Sequence, residues 1–411
     1  MNNLRFAGDY KLQKATLLSY NGSQVDITNL IAEITLFEDI FSPFMTMDIL
    51  IEDQVGLYHK LPIVGEELIE ITIQNVDGQG GITNLAFSLY KTKDFIEKGA
   101  NGFIYTLCFI SPEAIVDMNL KLSKAYSGTA SDIAKLLLKK EGLTTAKNIF
   151  VEESTGKISY ISNYWSPIKN MKYLTQRAVS KGTNSPSYLF FENKYGFFFS
   201  SLATLKCQDP VTSFSYIPKA AQDDEKSTRR VEKIYVDRGI DYIEKVQTGG
   251  YGSNAIYVDP TRKSYRYRYL DFIEAFDKQV RMNENAFGTS DATRRVNGSF
   301  HIAQADSYVQ PGMKSEQKEA WFQERMLELG ASRAFEVHLE LPGSMEIAVG
   351  QTTDFFMYSG DRPKSDNLDE ILDPIFSGRY IVSGIRHTFT RKKHTMIISI
   401  IKDSIVGKEQ K

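Results

Sequence analysis

Between residues 31 and 110 apolar and polar side chains alternate with a period of two. In Phe44-Met-Thr-Met-Asp-Ile-Leu-Ile51, residues Met45, Met47, Ile49 and Ile51 fall on one face, with Thr46 and Asp48 on the other. Ile69, Ile71 and Ile73 alternate in the same way with Glu70 and Thr72. This period marks strands with one buried side. Further strands are predicted over Ile31 to Glu38, Leu85 to Thr92 and Phe103 to Ile110, with a turn or loop over Asn75 to Gly81. Together they predict one antiparallel β-unit, a curved sheet or barrel, over residues 1–110.

The period changes after Ser111-Pro112. A helix is predicted from Ala130 to Glu141, with Thr129 as N-cap, Asp132 in the first turn, Ile133, Leu136 and Leu137 as its apolar stripe, and Gly142 as its stop. A second opens at Ser166-Pro167 and carries Ile168, Met171, Leu174 and Ala178 at helical spacing to Gly182. Then comes YLFFENKYGFFFSSL, residues 188–202, which divides into two strands around Asn193-Lys194-Tyr195-Gly196. Consecutive aromatics put rings on both faces of this hairpin, so both faces must be covered. The preceding helices are the natural cover for one of them, and large aromatics are core or interface material more often than ligand platforms.

Beyond this inserted unit, Pro218 to Arg230 reads as a polar loop. Strands are predicted over Val231 to Val236, Ile240 to Val246, Ala255 to Val258 and Tyr265 to Phe272. Residues from Lys278 to Pro311 lack periodicity, and a helix follows from about Ser315 to Leu329. Strands Ala334 to Leu341, Thr353 to Met357, Arg379 to Ile385 and Met396 to Ile401 close the chain. The expected organisation is a first β-unit at 1–110, an inserted α+β unit at 111–215, the start of a second β-unit at 216–275, an irregular excursion at 276–314 and the rest of the second β-unit at 315–411.

Composition narrows the function classes. The 411 residues include 22 Tyr and 25 Phe, which favours β-rich architecture. A net charge of −2 gives no global pull toward nucleic acid or an anionic membrane. The N-terminal sequence lacks an apolar signal core and no window is long enough to span a bilayer, so folding in the cytoplasm is expected. Cys108 and Cys207 read as two buried small hydrophobes rather than a disulfide or metal pair.

Catalytic motifs are scarce. None of His59, His301, His338, His387 and His394 has metal-ligand spacing, and His387 and His394, flanking a hairpin tip at Thr388 to Lys393, read as surface or hairpin polarity. No phosphate loop, dinucleotide fingerprint or nucleophile elbow is present. Glu66-Glu67 and Asp223-Asp224-Glu225 read as solvated faces rather than an opposed acid and base. The stretch from Arg262 to Tyr269 sets Tyr265, Tyr267 and Tyr269 against Arg266 and Arg268, and reads as a strand with an aromatic inner face and a cationic outer or interface face. The expectation is no enzyme, with no catalytic, cofactor-binding or metal-binding residue.

A succession of segments resembles the central baseplate hub proteins of contractile-tailed bacteriophages and the related hub or spike components of contractile injection systems. These are Phe44 to Ile51; Leu61-Pro-Ile-Val-Gly-Glu-Glu67; Tyr164-Trp-Ser-Pro167 feeding the aromatic hairpin; Leu341-Pro-Gly-Ser-Met-Glu-Ile-Ala-Val-Gly350; and Gly378-Arg-Tyr-Ile-Val-Ser-Gly-Ile-Arg-His387. The resemblance covers most of the chain in order, least at 278–312. It implies an α+β, β-rich fold with two tail-tube-like antiparallel β-barrel domains and an inserted α+β domain. It also implies a homotrimer closing a pseudo-sixfold ring between a hexameric tail tube protein and a trimeric central spike protein. Other baseplate proteins would be neighbours, the place would be the virion tail baseplate, assembled in the host cytoplasm, and nucleic acid would only pass transiently through the channel, with no membrane contact. The equivalent hub of a bacterial contractile injection system shares this reading. Two rivals of other classes are a tail adhesin binding host glycans through exposed aromatics, for which Phe190, Phe197 and Phe199 must be exposed, and an envelope-degrading enzyme, which needs a carboxylate pair in a cleft.

Overall fold

The computed structural model describes residues 7–61, 63–75, 82–98, 102–216, 229–238, 251–260, 262–287, 300–304, 318–333, 335–358 and 372–406, with Ile243 and Gln247. Its centre is one large sheet. In spatial order its strands are Lys233–Arg238, Phe335–Pro342, His394–Lys402, Gly378–Thr390, Ile31–Asp39, Thr46–Asp53, Gly102–Ile110, Ile82–Lys98, Leu68–Asn75, Tyr10–Leu18 and Gln24–Asp26. Neighbours along this path run antiparallel, while Thr212–Tyr216 joins as a branch, parallel to Thr352–Met357. The strands expected from alternation are present, and the Tyr10–Leu18 and Gln24–Asp26 strands, which their mixed pattern did not predict, complete the first unit.

Two apolar cores lie against this sheet. The first gathers Ile34, Leu36, Met47, Ile49, Ile71 and Phe109 with Ala15 and Leu17, so the first strand and the Ile31–Asp39 strand share one interior and the sheet curls over on itself. The second gathers Val337, Leu339, Ile385, Ile398 and Ile400 with Phe355 and Tyr380. The β-units meet where Gly378–Thr390 pairs with Ile31–Asp39, His387 opposite Leu36. Phe389 of the second unit sits in the first core and Ile40 of the first in the second, so the seam is stitched by side chains as well as by backbone.

The aromatic hairpin forms over Tyr188–Asn193 and Gly196–Ser201. One face, with Tyr188, Phe197 and Phe199, packs on the helices of the inserted unit; the other, with Leu189 and Phe191, enters the second core. Stacked ring pairs Phe190–Phe197 and Phe191–Phe198, with centroids 5.7 and 5.1 Å apart, tie its strands together on the two faces.

Several expectations change. The Ser166-capped helix spans Pro167–Thr175 and stops seven residues before Gly182. The Thr175 hydroxyl bonds back to the Lys172 carbonyl, and Val179–Ser180 is drawn into a ladder with Ser154–Thr155. Ala178 is still core, because the chain folds back beneath the helix. The Ala130–Leu136 helix continues as a wider π turn over Leu137–Glu141. Ser111-Pro112 opens a helix, Pro112–Asn119, with Pro at its start, and Phe272–Lys278 forms a helix capped by Asp271. The strands Ser253–Asp259 and Ser264–Leu270 do not join the large sheet but pair with each other, and Ser253–Asp259 pairs on its other side with Phe300–Gln304. The loop expected at Pro218 to Arg230 and the strand at Ile240 to Val246 lie almost wholly outside the described residues. Cys108 is buried, but Cys207 is exposed, because Leu202–Lys206 is a helix and Cys207 caps its C-terminal end.

Gly350 adopts a left-handed φ of +83°, and a Cβ there would lie 2.6 Å from Cζ of Phe191. The fully buried Phe191 ring therefore needs both the second core and a glycine above it. Phe191→Ala is expected to destabilise by about 3–5 kcal/mol in denaturant unfolding. Phe150→Ala, which removes a half-exposed ring stacked on Phe198, should cost only about 1 kcal/mol.

Candidate functional site

The hairpin tip is the junction of the three units. Lys194 in its turn donates to the carbonyls of Met345 and Ile347, the latter at 3.0 Å, and Asn193 Nδ2 donates to the Val349 carbonyl at 3.0 Å. Glu192, one residue earlier, accepts from Lys147 Nζ at 2.6 Å, from Ser111 Oγ at 2.5 Å and from the Met45 N–H at 3.1 Å. Lys147 also reaches Glu113, 2.8 Å away. The hairpin thus holds the first β-unit through Met45 and the loop at 343–350 through Lys194.

A second buried ion cluster fastens the other side. Lys206 Nζ lies 2.8 Å from Asp403 and 3.8 Å from Glu328, all three almost fully buried. Asp403 further accepts from the Met282 N–H, and Glu328 from Ser185 Oγ. Burial alone would discharge Lys206, but the Asp403 and Glu328 charges outweigh it and hold its pKa above the usual value. Asp403 is lowered despite its burial, chiefly by Lys206. Such pairs add little net stability when complete, but removing one partner leaves an isolated buried charge.

His387 and His394 are fully buried rather than surface polarity. Their rings face each other with Nδ1 of His387 3.1 Å from Nε2 of His394, and His394 stacks on Phe389 with centroids 3.9 Å apart. A Cβ on Gly343 would collide with the His394 ring, so this position admits only glycine. Burial, helped by the Lys194 charge, pushes His387 down to about 3, and His394 is well below its ordinary value. The pair is neutral packing material: one nitrogen of each ring meets the other ring, while Nε2 of His387 and Nδ1 of His394 are buried without a hydrogen-bond partner. Beside it Glu38, also buried, accepts from the Val349 N–H at 3.3 Å, and burial raises its pKa to about 7 against the pull of Lys194. Lys194 itself is lowered by burial to about 8.

The sheet face opposite the two cores is open across the seam. There the strands form a groove of about 700 Å³ lined by Phe37, Asp39, Tyr235, His338, Arg386 and Ser399. His338 Nδ1 lies 2.7 Å from Ser399 Oγ and its Nε2 3.8 Å from Asp237. Ion pairs of both signs continue along the same face: Lys233–Glu340 at 3.0 Å, Lys93–Asp48 at 2.9 Å and Arg391–Glu52 at 3.0 Å. It is a broad, wettable surface of mixed charge.

The other sequence candidates fall as follows. Phe197 and Phe199 are fully buried and Phe190 is partly buried against them, so these rings offer no glycan platform. Glu67 is not a solvated face: it is buried and its carboxylate closes the preceding loop by accepting from the Val64 and Gly65 N–H groups, both at 2.8 Å. Asp223-Asp224-Glu225 and the His59 side chain lie outside the described residues. The tyrosines of the Ser264–Leu270 strand point to solvent, not inward, because the neighbouring Ala255 and Tyr257 turn the arginine side of the sheet onto the Lys318–Ser332 helix, where Arg268 pairs with Glu324 at 2.9 Å. Among the described residues no three His, Cys, Asp or Glu side chains gather as a metal site, and no helix is long and apolar enough to cross a membrane. The buried ions Glu192, Lys206 and Asp403 escaped the sequence reading, although the charges inside apolar runs, one each in YLFFEN and LATLK and the Lys402-Asp403 pair in IIKDSI, were their visible trace.

No protein-family model and no curated protein matches the sequence. Solved structures do match its fold. A tail protein from Neisseria meningitidis MC58 superposes with a TM-score of 0.56 at 11% identity, over 96% of this chain and 97% of that one. The 43 kDa tail protein of prophage MuSo2 from Shewanella oneidensis gives 0.54 at 8% identity, over 96% of this chain and 100% of that one. The chain therefore has the β-rich fold of phage tail proteins along nearly its whole length, and the resemblance read from the sequence holds at the level of the fold.

Two outcomes test the buried clusters. Lys206→Met leaves Asp403 and Glu328 without their counter-charge and should cost about 3–5 kcal/mol in denaturant unfolding. Glu38 binds its proton more tightly folded than unfolded, so the stability it contributes is complete below pH 4.5 and is lost as pH rises through about 7. Glu38→Gln should melt close to the wild type at pH 5 and above it at pH 8, as read by calorimetry.

Proposed function

We propose that this chain is the structural hub of a phage tail baseplate. In this reading three copies close a pseudo-sixfold ring that joins the hexameric tail tube to a trimeric central spike, with other baseplate proteins around it. The observation that carries the reading is the one continuous sheet running through both β-units, in a fold matched end to end by phage tail proteins. A rigid double β-unit is what a ring needs if each chain is to stand for two sixfold positions. The seam pairing between Gly378–Thr390 and Ile31–Asp39 supports that rigidity, because sliding one unit against the other would break a seven-residue register.

The open sheet face would line the channel. Its interleaved Lys, Arg, Asp and Glu pairs suit a passage that must stay hydrated and let a polyanion through without holding it, since a uniformly basic wall would bind nucleic acid tightly. The strand Lys233–Arg238 at one end of the sheet would meet the neighbouring chain, because ring closure is how exposed sheet edges are removed. The chain then has no catalytic, cofactor or metal residue of its own, sits in the virion tail and is assembled in the host cytoplasm. A hub of a bacterial contractile injection system is the same object in another particle, and nothing in the burial of the aromatic hairpin favours a glycan-binding adhesin.

Light scattering on the purified chain, alone and mixed with a candidate spike protein, tests the ring. A mass at a multiple of three chains in either sample is the expected result. One or two chains in both samples would sink the hub reading.

A further inference from the structure

The small sheet of Ser264–Leu270, Ser253–Asp259 and Phe300–Gln304 has two unlike faces. Its inner face, with Ala255, Tyr257 and Ala303, is covered by Phe322 of the Lys318–Ser332 helix. Its outer face carries Tyr265, Tyr267, Tyr269, Val258, Phe300 and Ile302, of which Tyr265 and Ile302 are about three-quarters exposed at 74% and 75%. Taking roughly 200 Å² for a whole aromatic side chain and somewhat less for an aliphatic one, these residues leave about 600 Å² of apolar surface in water. A monomer seldom carries such a patch without a use for it.

The charges around this face are arranged as a dipole along the tyrosine strand. Arg262 and Lys263, both exposed, stand at the turn where the strand begins, Arg262 3.8 Å from Asp259 of the same turn, and Asp271 and Glu274 stand where it ends. Burial and then the negative charges of Asp271, Tyr267 and Glu274 raise the Tyr269 hydroxyl above its usual pKa, which sets those carboxylates close to the apolar face.

We infer that this face is an interface with a second copy of the chain, the two outer faces packed against each other about a twofold axis with their tyrosine strands antiparallel. Antiparallel packing brings Arg262 and Lys263 of one copy to Asp271 and Glu274 of the other at both ends, whereas parallel packing would set like charges together. Two such faces bury about 1,200 Å² in all, the lower bound of a standard specific interface. Tyrosines at every second position present a ladder of rings to interdigitate across a sheet-on-sheet gap of roughly 10 Å. A glycan platform would instead need free hydrogen-bonding groups between the rings; here the spaces hold Val258, Phe300 and Ile302, and the buried Asn254 amide on the same face already accepts from the Tyr267 hydroxyl. The contact goes beyond the ring: it would join two rings of three into six chains, or two single chains if no ring forms.

The test is light scattering over a concentration series of the wild type, of Tyr265→Ser with Tyr267→Ser, and of Lys263→Glu. All three substitutions are on exposed side chains, and unchanged melting confirms that the fold is kept. The expected result is a wild-type mass of six chains falling to three in both variants, or of two falling to one. Restoration of the larger mass when Glu274→Lys is added to Lys263→Glu would fix the antiparallel arrangement. Masses that do not differ between wild type and variants at any concentration overturn the interface, and a fall from three chains to one overturns the twofold geometry. Failure of the ring shows separately, as a wild type of two chains rather than six.

Discussion

Burial of both faces of the Tyr188–Ser201 hairpin is the constraint on which the rest of the molecule depends. A hairpin is not stable by itself in water; this one, extended only by the short strand Ile149–Val151, carries large rings on each side. One face is covered chiefly by the inserted unit, with Phe44 edge-on to Phe197, and the other by the core of the second β-unit. The hairpin therefore cannot be buried unless both units are already in place around it. Its tip then completes the junction through Glu192, Asn193 and Lys194, whose polar groups end in carbonyls, N–H groups and a lysine of three different segments.

From that junction rigidity spreads into the sheet. The loop held by Lys194 leads into Thr352–Met357, which pairs with Gly378–Thr390, which in turn pairs with the first β-unit. Packing supplies most of the stability of this arrangement, because the buried ions nearly offset their own desolvation. What the ions contribute is definition: Glu192 and Asp403 accept three or more bonds in one geometry, and a shifted hairpin would strand them without partners.

The strands of both β-units were legible because alternation of period two is a local property and one face of each strand is buried, from Met45 to Ile51 and from Ile69 to Ile73. The caps Thr129 and Ser166 were legible for the same reason, since a side chain bonding an N–H three residues on is a short-range event. Where the reading failed, distant contacts had overridden local pattern. Ala178 kept helical spacing yet lies past the helix end, because a ladder with Ser154–Thr155 captured the chain. His387 and His394 looked like polar decoration of a hairpin tip, and only the packing of Phe389 and Gly343 made them core.

The sequence by itself determined that this is a β-rich chain with an α+β insertion and an aromatic hairpin needing cover on two sides, because periodicity, capping and ring size are written residue by residue. The tertiary structure alone decided that the two β-units share one sheet, that charges set in apolar runs meet as buried clusters, and that the tyrosines from 265 to 269 face outward. Each of these depends on which segments, well separated along the chain, come to lie side by side, and a one-residue change of register would reverse every sheet face involved.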